Sequence, residues 1–118
     1  MILDAEFGDV ASKILGLECV YNGFIDVNET YSLTRNIYNA HYIYIIAYGN
    51  WNHSQLIVVF PNNGGTPKTK LIASWDASLS SLDGIEITAN SNWGITVKNT
   101  GTNNDTPLAI FEIQKTNV

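Results

Sequence analysis

Cysteine is nearly absent: Cys19 stands alone among 118 residues. No intramolecular disulfide can staple the chain, and no thiolate cluster can hold a zinc ion. The core must do the holding. A chain of this length buries roughly two-thirds of the surface it exposes when unfolded, enough for a single domain. Basic residues are also scarce. Six Lys and Arg against eleven Asp and Glu give a formal charge of −5, and the six are scattered rather than gathered in a stripe. Nucleic-acid binding draws its affinity from counterions displaced by Lys and Arg, so this composition argues against such a partner. No apolar run nears the ~20 residues of a membrane-spanning helix, which argues against membrane insertion. The opening MILDAEFGDV carries Asp4, Glu6 and Asp9 with no basic flank, and so lacks the layout of a secretory signal. Charged residues make up 14% of the chain, against about a quarter in typical domains. Asn fills much of the gap with fourteen copies. With Ser and Thr it makes the polar, weakly charged surface of a turn-rich β domain.

Signatures of chemistry are missing too. His41 and His53 stand twelve apart, on an expected strand and turn, and neither HxH nor HExxH occurs. Asp76 and Asp83 lie seven apart without the alternating Asp and Asn of a calcium loop. There is no GxSxG turn to present a serine nucleophile. The stretch NNGGTPKTK is Gly-rich with nearby lysines, but it lacks the Gly-Lys-Ser/Thr ending of a phosphate loop and precedes a strand. The sequence therefore leads to no catalytic residue, no metal site and no cofactor. A hydrolase with a carboxylate pair is the weakest reading kept open, because separation in sequence says nothing of separation in space.

What is present begins with a periodic opening. Leu3, Phe7, Val10, Ile14 and Leu17 are spaced by four, three, four and three, the seam of a heptad. Acidic residues come first, Lys13 later, and Gly16 provides a stop, all in the sense that the helix dipole favours. Residues 1–18 are expected to form a short N-terminal helix or stalk junction. Such a helix either lies on its own domain or makes a coiled-coil seam between copies; an extended arm is the remaining option. From residue 19 to 118 the pattern is β. YNGF at 21–24 has the Asn-Gly of a tight hairpin, and FIDV and TYSL read as strands around a turn at Asn28 and Glu29. A long hydrophobic hairpin has arms at about 37–48 and 55–60. Further strands follow at 70–75, 85–89, 93–99 and 108–114. Clusters of turn formers such as PNNGGTP and TGTNNDTP separate them. About eight short strands so spaced predict a mainly β fold, an antiparallel sandwich of jelly-roll-like type.

The long hairpin is unusual in being apolar on both faces. In a strand, alternate residues point to opposite sides. Tyr38, Tyr42, Tyr44, Ile46 and Tyr48 share one side of the first arm, and Ile43, Ile45 and Ala47 the other. A strand of a two-layer fold needs one apolar face only, so something must cover the second. The candidates are the N-terminal segment, a loop, or another copy of the chain. Tyrosine combines a large apolar body with a hydroxyl that tolerates water and is enriched at interfaces. The tyrosine face is accordingly the expected subunit contact: Tyr38, Tyr42, Tyr44 and Tyr48, joined by Leu3, Phe7, Val10 and Ile14 of the heptad seam.

The tryptophans are the remaining signal. Trp51 sits at the hairpin tip between two asparagines and beside His53. An indole flanked by amides and an imidazole suits a sugar, whose C–H face stacks on the ring while its hydroxyls meet Asn52 and His53. The competing readings fold Trp51 back as a lid or pack it on a neighbouring subunit. Trp75 and Trp93 follow strand alternation and are expected in the core.

The closing WGITVKNTGTNNDTPLAIFEI, the earlier GFIDVNETYSL and the central YIYIIAYGN…QLIVVF resemble, in this order, the C-terminal head domains of phage and prophage tail-fibre or related virion fibre proteins. The likeness spans roughly residues 19–116 and rests on pattern and loop character. It implies a β-sandwich head that trimerises about a threefold axis, often behind a helical or fibrous stalk. Such heads attach to a host-surface glycan or protein, or decorate the particle beside other virion proteins. The location implied is the virion. With an initial Met and no long shaft, the chain is expected to be either a small standalone virion protein or an excised domain. The expected function is thus a non-enzymatic phage structural protein, of tail-fibre, head-fibre or decoration type. The alternative is a carbohydrate-binding module or lectin-like domain using Trp51, Asn52 and His53 at the 49–54 tip.

Overall fold

The computed structural model describes residues 17–34, 41–62, 65–90 and 93–115. They form eight strands: β1 (Leu17–Ile25), β2 (Thr30–Leu33), β3 (His41–Tyr48), β4 (Gln55–Phe60), β5 (Lys68–Ser74), β6 (Ile85–Asn90), β7 (Gly94–Asn99) and β8 (Thr106–Lys115). Helical structure among the described residues is one 3₁₀ turn, Trp51–His53. The strands make two antiparallel sheets, one of five strands in the order β1-β8-β3-β4-β5 and one of three in the order β2-β7-β6. The fold is mainly β.

The expected N-terminal helix is not supported. Leu17, its last seam residue, begins β1 and pairs with Ile113, so the β region starts two residues before the expected boundary at 19. Leu3, Phe7, Val10 and Ile14, together with Tyr38, lie outside the described residues.

Most strands arise where branched and aromatic residues alternate, as β propensity dictates. YNGF is a correction. Asn22 and Gly23 do not turn the chain but continue β1 opposite Ala109 and Leu108. The glycine serves a close approach instead: a Cβ on Gly23 would come within 2.9 Å of the Tyr21 hydroxyl. That phenol lies along the strand and donates to the Phe24 carbonyl at 2.9 Å. The turn expected at Asn28 and Glu29 is present, with Asn28 at φ 66° and the Glu29 amide donating to the Asp26 carbonyl at 2.9 Å. The strands on either side of it are not partners. β1 pairs with β8 and β2 with β7, so this turn carries the chain from one sheet to the other.

One core lies between the sheets. The five-stranded sheet contributes Ile25, Tyr42, Tyr44, Ile46, Tyr48, Ile57, Val59, Leu108 and Ile110, and the three-stranded sheet contributes Leu33, Ile85, Ile87, Ile95 and Val97. Here the tyrosine face is corrected. Tyr42, Tyr44 and Tyr48 are 4%, 0% and 5% exposed within a single chain, so they cannot be a subunit contact. A phenol is long enough to cross the core with its hydroxyl still satisfied. Tyr44 donates to the Trp93 carbonyl at 3.1 Å and Tyr48 to the Gly84 carbonyl at 2.7 Å. Those carbonyls immediately precede β7 and β6, so two tyrosines pin opposite ends of the β6–β7 hairpin to the facing sheet. Buried hydroxyls need such partners.

The outer faces of the two sheets differ sharply. On the three-stranded sheet, Glu86 stands opposite Lys98 and Thr88 opposite Thr96, while the Ser32 and Thr96 hydroxyls share a hydrogen bond at 2.9 Å. On the five-stranded sheet the outward row runs Cys19, Phe111, Ile45, Val58 and ends at Lys70 on β5. Neighbouring rows add Ile113 with Ile43, and Ala109 with Ala47 and Leu56. Leu56 is 38% and Phe60 48% exposed. The second apolar face inferred from the sequence therefore exists, but it is the isoleucine side of β3.

Trp75 is also corrected: it is 70% exposed. Val59 and Ile57 face Thr69 and Leu71, but Leu56 faces Ala73 and Gln55 faces Ser74, leaving Ile72 as a bulge. One extra residue reverses the side on which all later side chains stand. Ser74 turns inward and Trp75 outward. Trp93, by contrast, packs half-buried against the core as expected.

Candidate binding cleft

Three connections meet at one end of the domain: the β3–β4 turn, the approach to β6, and the β7–β8 loop. They enclose an open cleft of about 370 Å³. Its wall carries Asn50, His53 and Gln55 from the turn, Asp83 and Gly84 from the β6 approach, and Asn99 with residues 100–103 from the loop. Tyr48 and Thr106 are at its floor side, both buried.

The wall is built on buried amides. Gln55, 5% exposed, donates to the Asp83 carbonyl at 2.7 Å and accepts from the Asp83 amide at 2.9 Å. It holds that segment as a neighbouring strand would. Asn99 is fully buried. Its amide nitrogen donates to the Ile25 carbonyl at 3.0 Å, the Asn103 carbonyl at 3.0 Å and the Thr106 hydroxyl at 3.3 Å. Its carbonyl accepts from the Gly101 amide at 2.9 Å. The Thr106 hydroxyl closes the loop by donating to the Asn103 carbonyl at 2.7 Å. One side chain thus sets the curvature of the β7–β8 loop.

The turn is equally specified. Gly49 has φ 101°, and a Cβ there would collide with the His53 carbonyl oxygen. The Ser54 amide donates to the Trp51 carbonyl at 3.1 Å, and the Trp75 amide donates to the Ser54 carbonyl at 3.0 Å. The Ser54 backbone therefore links the main chains of two tryptophans. Trp51 is 91% exposed and has φ 37°.

The wall carries one carboxylate, that of Asp83. Asp83 and His53 are its titratable groups besides Tyr48, and no Lys or Arg among the described residues lines it. Burial raises the Tyr48 phenol above its usual 10.0, the Asp83 charge adds to this, and a hydrogen bond with Thr106 opposes it. Asp76, next to Trp75, is lowered by hydrogen bonds from the Ser78 hydroxyl and amide, with a smaller contribution from His53. The Tyr48 shift makes a prediction. A phenol harder to ionise when folded stabilises the fold fully below about pH 10, and that share is lost as pH rises toward the folded-state value. Tyr48→Phe is expected to flatten the fall in urea midpoint between about pH 9 and about pH 11, measured against wild type by circular dichroism.

Of the residues singled out in the sequence, His53 lines the cleft. Trp51 and Asn52 are exposed on the same turn and stand outside the wall. The sequence reading missed Asn50, Asp83, Asn99 and the 100–103 loop. The Asn/Thr-rich TGTNNDTP was recognisable as a loop, but its meeting with the 49–54 tip depends on β8 lying beside β3, which no local pattern reveals. Among the described residues no group of three or more His, Cys, Asp or Glu is placed to hold a metal ion. Comparison with protein-family models, curated proteins and solved structures gives no match.

Proposed function

We propose that this chain is a non-enzymatic structural protein of a phage virion, of tail-fibre, head-fibre or decoration type. Its head assembles with copies of itself, as a trimer, and serves in host attachment or particle decoration beside other virion proteins. The two sheets are read as the jelly-roll-like sandwich that the strand pattern predicts, in keeping with the β-sandwich head that the resemblance implies. The observation that carries the proposal is the apolar outer face of the five-stranded sheet. Phe111, Ile45 and Val58 lie in one row across three strands, flanked by exposed Leu56 and Phe60. Monomeric proteins seldom present a contiguous apolar surface of this kind without a partner. The facing sheet, with its Glu86–Lys98 pair, shows what a solvated outer face of this same domain looks like.

Sedimentation equilibrium at micromolar concentration tests the reading. Wild type is expected at about three times the single-chain mass, the threefold assembly that the resemblance implies, closed as homo-oligomers usually are. The double variant Leu56→Lys/Phe60→Lys is expected at the single-chain mass, with a urea midpoint below that of assembled wild type by the stabilisation that association contributes and independent of protein concentration. Wild type at the single-chain mass would overturn the proposal.

A further inference from the structure

The end cleft and the two tryptophans beside it make a second surface, remote in purpose from the apolar face. We propose that this surface is a glycan site. The cleft takes a ring of a neutral oligosaccharide, and Trp51 and Trp75 stack the sugars that continue from it. The inference names what an attachment head would attach to, and so rests on the reading of the chain as a binding head.

Three observations carry it. The first is the cost of Trp51. Its φ of 37° lies where Gly or Asn is comfortable and a bulky side chain is not. Asn50 and Asn52 flank it, so an asparagine in this position would be the cheaper residue for turning the chain. A large aromatic held at a disfavoured backbone angle and 91% exposed does nothing for the core. Strain of this sort points to binding. The second is pairing. The bulge at Ile72 turns Trp75 outward, 70% exposed. Its amide binds the same Ser54 whose own amide binds Trp51. Both exposed indoles are thus tied through the Ser54 backbone to the turn that walls the cleft, and each offers a ring on which a sugar can stack.

The third observation is the chemistry of the wall. Asn50, Thr100, Thr102 and Asn103 offer amides and hydroxyls, with the Asp83 carboxylate among them. Amides and carboxylates meet adjacent sugar hydroxyls well, since each presents two neighbouring hydrogen-bonding atoms. With no Lys or Arg on the wall among the described residues, an acidic sugar would find no counter-charge and would face Asp83. At about 370 Å³ the cleft is at the small end of ligand sites, which run from roughly 300 to 1,000 Å³. It suits one or two rings, with the remainder of the chain left to the indoles. The buried Asn99 and Gln55 amides fix the walls in advance, which spares the ligand the cost of ordering them.

The test is a glycan array of uncharged oligosaccharides of glucose, galactose, mannose and N-acetylglucosamine, with sialylated and uronic-acid-containing glycans as the acidic arm. Hits are followed by titration with tryptophan fluorescence. Wild type is expected to bind at least one neutral glycan and to discriminate against the acidic arm. Trp51→Ala and Trp75→Ala are each expected to weaken binding about tenfold, a change of about 1.4 kcal/mol. Asp83→Asn, which keeps the shape of the wall, is expected to weaken it without altering the mass in solution. No binding of any neutral glycan at millimolar concentration would overturn the inference. So would full affinity in all three variants, or preference for the acidic arm. Sedimentation of the same samples separates this from the assembly reading: an assembled protein that binds no glycan sinks the site alone, and a monomer that binds sinks the assembly alone.

Discussion

Tyr44→Ala is expected to lower the stability of the domain by about 4 kcal/mol, in the range found for removing a buried aromatic side chain. Tyr44→Phe is expected to cost only about 1 kcal/mol. Tyr44 is completely buried and lies between Glu112 of β8 and Val59 of β4 in the sheet, with the Tyr42 ring 6.3 Å away. Truncation leaves a cavity that well-ordered strands cannot collapse to fill. The Phe variant keeps the packing and removes the hydroxyl that donates to the Trp93 carbonyl. Urea unfolding checks both, with midpoints falling while the slope stays constant. The pair also discriminates between locations. A tyrosine at a subunit contact would alter the mass of the assembly, whereas a tyrosine in the core lowers the stability of the single chain.

The second large effect belongs to Asn99. Asn99→Ala strips partners from the Ile25 and Asn103 carbonyls and from the Gly101 amide, and is expected to cost about 3 kcal/mol, since buried polar groups left unpaired each cost about 1–3 kcal/mol. Asn99→Asp is the more informative change. It preserves shape but turns an acceptor toward three oxygens that now receive a donor. Burial and those oxygens raise the pKa of the new carboxyl in the folded state above its unfolded value of about 3.9. Its protonated form, with one O–H to donate, is therefore the better tolerated. The variant is expected to be closest to wild type at about pH 4 and to lose stability as pH rises, levelling off above the raised folded-state value. Urea midpoints of the two proteins at matched pH give the difference. A gap that does not widen between about pH 4 and about pH 7 would remove Asn99 from its place as the loop's organiser.

The strands were legible where alternation was clean. The expected strand at 85–89 became Ile85–Asn90 and that at 93–99 became Gly94–Asn99, because branched residues on one side and polar residues on the other specify both conformation and facing. The central hairpin was legible as a hairpin but not in its facing. With tyrosines on one side and isoleucines on the other, hydrophobicity does not decide which side is inward. Tyr44 and Tyr48 face in because their hydroxyls find carbonyls at the far edge of the core, and the aliphatic side chains of Ile43, Ile45 and Ala47 have no such reach. That criterion depends on where β6 and β7 begin in space. Trp75 was misplaced by a single bulged residue, Ile72, which carries no sequence mark. Of the candidate site, only the exposed tip and His53 were accessible. The cleft joins residues from the 49–55, 83–84 and 99–106 regions, brought together by the position of β8 between β1 and β3.

With the tyrosines turned inward, the proposed assembly would use the isoleucine face, and the reactivity of a single thiol there tests this most directly. In a Cys19→Ser background, Val58→Cys places one cysteine at the β4 end of the Phe111–Ile45 row. Labelling by a thiol reagent is expected to be fast in dilute samples and to slow as concentration rises, in step with the growth in mass. A labelling rate independent of concentration while the mass still increases would show that copies meet elsewhere, and would contradict the account.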